Sequence, residues 1–187
     1  MDELIAAGLL VFRPAFLADS RGLFDRLAAG VAWDDRIRAR RVASFGEPYN
    51  YSGTVWPRAD VPDDLRPVLR AVAAAVGYEL NNCPANYYPD GDSTMGYHAD
   101  AVADLEPGTG ISIVSLGAAR TLSFRREPDR AVVHEVVLAG GSLLHMTAEL
   151  QAGRRHAVRR SAEAVGGRIS LTFRRLRVID SPAAGEP

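Results

Sequence analysis

From Ala85 onward the chain breaks into short apolar or alternating runs, and nothing else in it constrains the fold as strongly. The runs are Ala85–Tyr88, Ile111–Leu116, Thr121–Arg125, Ala131–Leu138, Ser142–Met146, His156–Arg159 and Arg168–Leu176, many separated by clusters of Gly, Pro and Asp. Several short strands at close spacing argue for a β-sandwich or barrel. The first half reads differently. Residues 9–13 predict a strand, and Asp19 and Ser20 can cap a helix over about Leu23–Ala29 with Leu23, Phe24 and Leu27 on one face. Residues 40–44 read as a strand leading into a turn-rich aromatic loop from Gly46 to Gly53, and the irregular region continues through Trp56, Pro57 and Pro62. Asp63 or Asp64 starts a second helix, with Leu65, Val68, Leu69, Val72 and Val76 at helical spacing and Gly77 as its stop. Pro67 falls in the first turn, where a missing N–H costs little.

Of the 187 residues, 47% are hydrophobic, enough for a sizeable core, and no stretch is apolar for long enough to span a bilayer. The opening MDELIAAGLLVFRPAF has no positive segment ahead of its apolar run and reads as folded protein. A single cysteine, Cys83, excludes an intramolecular disulfide and suits a reducing cytoplasm; it reads as a small buried hydrophobe. A formal net charge of −1 does not advertise nucleic acid, but all 22 cations are Arg, so every basic contact is a planar fork suited to phosphates and carboxylates. Arg36, Arg38, Arg40 and Arg41 form one cluster; Arg154, Arg155, Arg159 and Arg160 form another around His156. A solvated basic face is the plain alternative for both.

The stretch Asn86 to Asp100, NYYPDGDSTMGYHAD, carries the chemistry. Two residues apart on a strand or its end, His98 and Asp100 point to one side. With one distant His they would make the 2-His-1-carboxylate set, which leaves open positions on Fe(II). His134, His145 and His156 remain for the third place; His156, just before a strand, fits best, but spacing alone leaves the choice open. Ligands on two different strands of a β-rich half suit a jelly roll. In the last strand Arg168, Ser170, Thr172 and Arg174 share one face, and Ile169, Leu171 and Phe173 the other. Two Arg on one face of a central strand are costly unless each meets an anion, and a dicarboxylate would serve both; an edge strand with a wet basic face explains the pattern equally well.

Taken together, NYYPDG, MGYHAD, ISIVSLGAARTLSFRR, GSLLHM and RRHAV followed by GGRISLTFRRL resemble the AlkB family of Fe(II)- and 2-oxoglutarate-dependent dioxygenases, over roughly Arg40 to Val178. The loop PYNYSGTVWP resembles that family's substrate lid. The resemblance implies an α+β, mainly β fold: a double-stranded β-helix (jelly roll) core with N-terminal helices packed outside. It implies one domain over 1–180, with an N-terminal extension to about 40, a lid and helix at 41–80 and a catalytic core at 81–178; residues 181–187 are expected to be a disordered tail. It implies Fe(II) on His98, Asp100 and His156, and 2-oxoglutarate on Asn86, Tyr88, Arg168, Ser170 and Arg174, with Arg168 at the distal carboxylate and Arg174 at the iron end. Dioxygen completes the reactants. Tyr49 and Tyr51 would lie in the lid, Tyr51 stacking on a flipped base, with Tyr97 nearby.

The implied reaction is oxidative demethylation of bases such as 1-methyladenine and 3-methylcytosine in single-stranded or locally opened DNA or RNA, releasing formaldehyde, succinate and CO2. No membrane is implied, and a monomer is the working expectation. One position departs from the pattern. DNA-repair members carry an acidic residue four positions after the first His, where this chain has Val102; Asp104 replaces it only if the loop bends inward. Val102 is therefore a candidate substrate contact that keeps open a neutral modified base, or a hydroxylase of a non-nucleic-acid substrate. A cupin-like metal-binding protein without turnover is the third reading, against which the two Arg of the last strand speak.

Overall fold

The computed structural model describes residues 1–51, 54–127, 133–163 and 165–178. The first two residues of the Ala131–Leu138 run, the tail at 181–187 and the side chain of Tyr51 lie outside the described residues. In chain order the elements are α1 (Asp2–Ala6), β1 (Leu10–Arg13), α2 (Ser20–Gly30), β2 (Arg41–Gly46), β3 (Tyr49–Tyr51), β4 (Thr54–Trp56), α3 (Arg66–Val76), β5 (Asn82–Tyr88), β6 (Met95–His98), β7 (Gly110–Gly117), β8 (Arg120–Arg126), β9 (Val133–Leu138), β10 (Leu143–Thr147), α4 (Ala148–Gly153), β11 (Arg154–Val158) and β12 (Arg168–Phe173). A six-stranded sheet in the order β1-β10-β7-β12-β5-β2 faces a four-stranded one, β6-β11-β8-β9. Their pairings are antiparallel, the jelly-roll arrangement expected.

Period two explains how the larger sheet is held. On β12, Ile169, Leu171 and Phe173 point to the helical side, where Leu23 and Leu27 of α2 and Val68 and Val72 of α3 join one buried cluster. On β7, Ile111 and Ile113 point the other way, into a second cluster with Leu122 and Phe124 of β8 and Val136 and Leu138 of β9. Both faces of this sheet are therefore covered, and β7 and β12 read as buried along almost their whole length.

Local signals set most boundaries. The Asp19 carboxylate accepts from Gly22 N at the start of α2. Gly77, at φ 86°, ends α3 in the left-handed conformation. The second helix begins at Arg66 rather than Asp63 or Asp64, which lie in the preceding turn. The aromatic loop also differs from expectation, because part of it is a small hairpin in which β3 pairs with β4. Gly46 admits it: at φ 84° a Cβ there would stand 2.0 Å from the Asn81 carbonyl oxygen. Strands β3 and β4 and helices α1 and α4 went unpredicted, and β6 was anticipated only as a strand or strand end at His98.

Candidate active site

Strand pairing builds the site. The ladder between β6 and β11 sets His156 opposite His98, with ring centroids 4.3 Å apart. Asp100 follows the end of β6, and its Oδ2 lies 3.5 Å from His156 Nε2. One ligand atom from each of His98, Asp100 and His156 falls within 4.8 Å of the others, and this is the one such group among the described residues. His134 stands elsewhere, 3.8 Å from Glu3, and His145 meets Ser112 Oγ at 2.9 Å on the helical side of the sheet. His98 Nδ1 is 2.9 Å from the Gly96 carbonyl, which can only accept, so Nδ1 carries the proton and Nε2 is left for a metal. Burial pushes the His156 imidazole down to about 4; Asp100 opposes this, and His98 and Arg174 add to it, so the ring is neutral and able to ligate. Burial alone would raise the Asp100 carboxyl, but Arg174, then His156 and His98, outweigh it and hold it below its usual range. The Asp100 backbone is pinned by α4, since its N–H donates to Gln151 Oε1 at 3.1 Å.

The polar face of β12 lies alongside. Arg174 Nη2 donates to Asp100 Oδ1 at 2.6 Å, and Arg168 Nε donates to Ser115 Oγ on β7 at 2.8 Å. Both guanidiniums are buried, each over an aromatic ring: Arg168 5.3 Å from Tyr88 and Arg174 4.5 Å from Tyr49. Arg168 Nη1, Arg174 Nε and Nη1, and Asp100 Oδ2 are buried with no hydrogen-bond partner among the described residues. Such orphans are costly, and a divalent cation at Asp100 Oδ2 with two carboxylates at the arginines would satisfy them. The residues present therefore fit a metal and a dicarboxylate. Asn86, Tyr88, Ser170 and Arg168 line the same cavity of about 420 Å³ as His98, Asp100 and His156.

The substrate side matches expectation less closely. Tyr49, in the β3–β4 hairpin, lines the cavity and is buried beneath Arg174. Tyr97 lies under the Arg125 guanidinium at 4.4 Å. Val102 packs against the core cluster and is not among the residues lining the cavity; Asp104 lines a separate pocket with Arg58 and Arg177. Arg40, read as part of a basic surface cluster, instead lines the cavity and donates from Nε to Asn86 Oδ1 at 2.6 Å. Arg120 was missed altogether. It is buried and donates to the carbonyls of Asp90, Gly91, Ser93 and Arg159, tying the loop before β6 to the strand carrying His156. Only its place near the start of a strand was visible beforehand, and that does not name four carbonyl partners.

Comparison with known proteins agrees with this geometry. The 2OG-Fe(II) oxygenase superfamily profile matches residues 31–174. The chain belongs to that superfamily, whose members use Fe(II), 2-oxoglutarate and dioxygen. It is 34% identical over 148 residues to the DNA oxidative demethylase ALKBH2 of Mus musculus, covering 73% of this chain and 62% of that protein. It is 28% identical over 177 residues to the alpha-ketoglutarate-dependent dioxygenase alkB homolog 3 of Rattus norvegicus, covering 84% of this chain and 60% of that one. The chain thus spans about three-fifths of the length of these relatives. Among solved structures it resembles OsALKBH1, with a TM-score of 0.63 at 17% identity, covering 89% of this chain and 98% of that one. It also resembles a Pseudomonas putida prolyl-4-hydroxylase, with a TM-score of 0.58 at 18% identity, covering 92% and 96%. Identities this low speak for the fold alone. Among the described residues, no helix is long and apolar enough to cross a membrane.

Proposed function

We propose that this chain oxidatively demethylates N-alkylated nucleobases in DNA or RNA. The observation that carries the reading is one cavity holding both the His98–Asp100–His156 group and two buried arginines with unmet donors. Relatives named as DNA oxidative demethylases point to the nucleobase. When bound, Fe(II), 2-oxoglutarate and dioxygen supply the oxidising power that hydroxylates an N-methyl group. One oxygen atom enters succinate and the other the methyl carbon, CO2 leaves, and the hydroxymethyl departs as formaldehyde to give the unmodified base.

The chain's own part is to hold and orient. His98, Asp100 and His156 would hold the Fe(II) between them, a ligand set that suits oxidative chemistry. Arg168 would pair with the distal carboxylate of 2-oxoglutarate and Arg174 with the one at the metal end, and Asn86, Tyr88 and Ser170 would contribute hydrogen bonds. Arg174 also bonds Asp100, so a single guanidinium couples the metal ligand to the co-substrate end. Ile37, Trp56 and Met95 give the cavity apolar wall against which a base extruded from its stack can rest.

A hydroxylase of a non-nucleic-acid substrate is the second reading, favoured by one observation: Asp100 is the sole acidic residue among those lining the cavity. Mass spectrometry of methylated single-stranded DNA and RNA, incubated with the protein, Fe(II), ascorbate and 2-oxoglutarate, separates the two. Loss of one methyl mass, absent with His98→Ala, is expected. Succinate formation without loss from any methylated base would favour the second reading.

A further inference from the structure

The charges that line the cavity are lopsided. Arg40, Arg168 and Arg174 face it against a single carboxylate, that of Asp100. Asp100 is already engaged by Arg174, and Arg168 and Arg174 are the two groups a dicarboxylate would neutralise. Arg40 has no such counterpart. It precedes β2, which pairs with β5 on the edge opposite β12, and it lines the cavity together with the apolar Ile37, Val42 and Trp56. Its Nε is spent on Asn86 Oδ1, and among the described residues that is its one side-chain hydrogen bond. The bond fixes the guanidinium plane and leaves the two terminal amines for whatever enters. A guanidinium has donors and no acceptor. No second carboxylate on the cavity wall offsets it, since Asp104 lies in a different pocket and Val102 is apolar, half-buried and packed against the core cluster.

We infer that Arg40 makes this pocket select neutral N-methylated bases with a carbonyl at the thymine O4 or guanine O6 position, of the 3-methylthymine and 1-methylguanine type, over cationic ones with an amine there. This rests on the nucleobase reading above and deepens it. The donor-only edge of Arg40 matches the O4 of a thymine or the O6 of a guanine, the pairing by which Arg reads guanine in DNA. Facing 3-methylcytosine or 1-methyladenine, the same edge meets an exocyclic amine, which is also a donor, on a ring that carries a positive charge. Both mismatches act in a partly desolvated site, where like charges repel more strongly than in water.

The test is a competition between two single-stranded oligonucleotides, identical except for one 3-methylthymine or one 3-methylcytosine, in a single reaction followed by mass spectrometry. Affinity for each is read separately by fluorescence anisotropy without dioxygen. The wild type should favour 3-methylthymine by about tenfold or more, in turnover and in Kd. Arg40→Met removes charge and donors together and should bring the ratio towards one; Arg40→Gln adds an acceptor and should move it further towards 3-methylcytosine. The ratio cancels any general loss of rate from loosening Asn86. Preference of the wild type for 3-methylcytosine, or a ratio unmoved in both variants, overturns the assignment to Arg40 while leaving the nucleobase reading intact. Failure to bind or demethylate either oligonucleotide, with folded protein still forming succinate, overturns both.

Discussion

The two faces of β12 do opposite work with the same backbone. Ile169, Leu171 and Phe173 are fully buried against α2 and α3 and need nothing further. Arg168, Ser170, Thr172 and Arg174, one residue out of phase, are also buried, yet among the described residues three of their guanidinium nitrogens have no hydrogen-bond partner. The apolar face is complete as folded and holds the sheet together. The polar face is complete only with an anion, so the fold carries its cost and the ligand recovers it. A buried polar group without a partner is therefore a sharper pointer to function here than any exposed feature.

If this division holds, changes on the two faces should separate stability from binding. The largest expected effect on stability is from the apolar face: Phe173→Ala should lower the unfolding free energy by about 3–5 kcal/mol, read by urea denaturation with an unchanged slope. Arg168→Met should do the reverse. Its stability without ligand should change little or rise, because an apolar side chain of similar size replaces a buried cation. Its affinity for 2-oxoglutarate should fall about 100-fold by calorimetry, as expected when one partner of a buried charge pair is lost. A large stability loss in Arg168→Met would erase the distinction between the faces. Next, 2-oxoglutarate with Fe(II) under anaerobic conditions should stabilise the wild type by about 2.7 kcal/mol at a hundredfold excess over Kd, and Arg168→Met much less.

The smallest effect concerns Cys83 on β5, which packs into the same cluster as the apolar face of β12. Burial pushes its thiol up to about 12, with Arg174 and a backbone bond from Thr172 opposing only in part. It should resist alkylation at neutral pH when folded and react readily in denaturant. The unfolded thiol ionises first, near its ordinary value of about 8.5, so the folded state loses this contribution as pH rises from there towards 12.

The contrast between the faces also explains what the sequence disclosed. Period-two alternation put Arg168 and Arg174 on one side of a strand, and the short His-x-Asp spacing put His98 and Asp100 together, because both are local facts. Choosing His156 over His134 and His145 required the pairing of β11 with β6, a long-range register that spacing leaves open. Only the His98 end of strand β6 was visible, because MGYH is four residues long and sits among turn-formers. The hairpin of β3 and β4 hid behind the turn-formers of its loop. Arg40 read as one of a basic cluster and Arg120 went unnoticed, since nothing adjacent in sequence names Asn86 or four distant carbonyls as their partners. The place of Val102 was hidden for the same reason: its distance from His98 along the chain says nothing of which way the intervening loop turns.

The most direct test of the central claim is an anaerobic titration of 2-oxoglutarate into the Fe(II)-loaded protein, following the visible charge-transfer absorption of the metal. Saturation at one co-substrate per chain, lost in Asp100→Ala and shifted to about 100-fold higher concentration in Arg168→Met, is the predicted result. An absorption that saturates at the same concentration in the wild type and Arg168→Met would contradict the assignment of the polar face of β12 to the co-substrate.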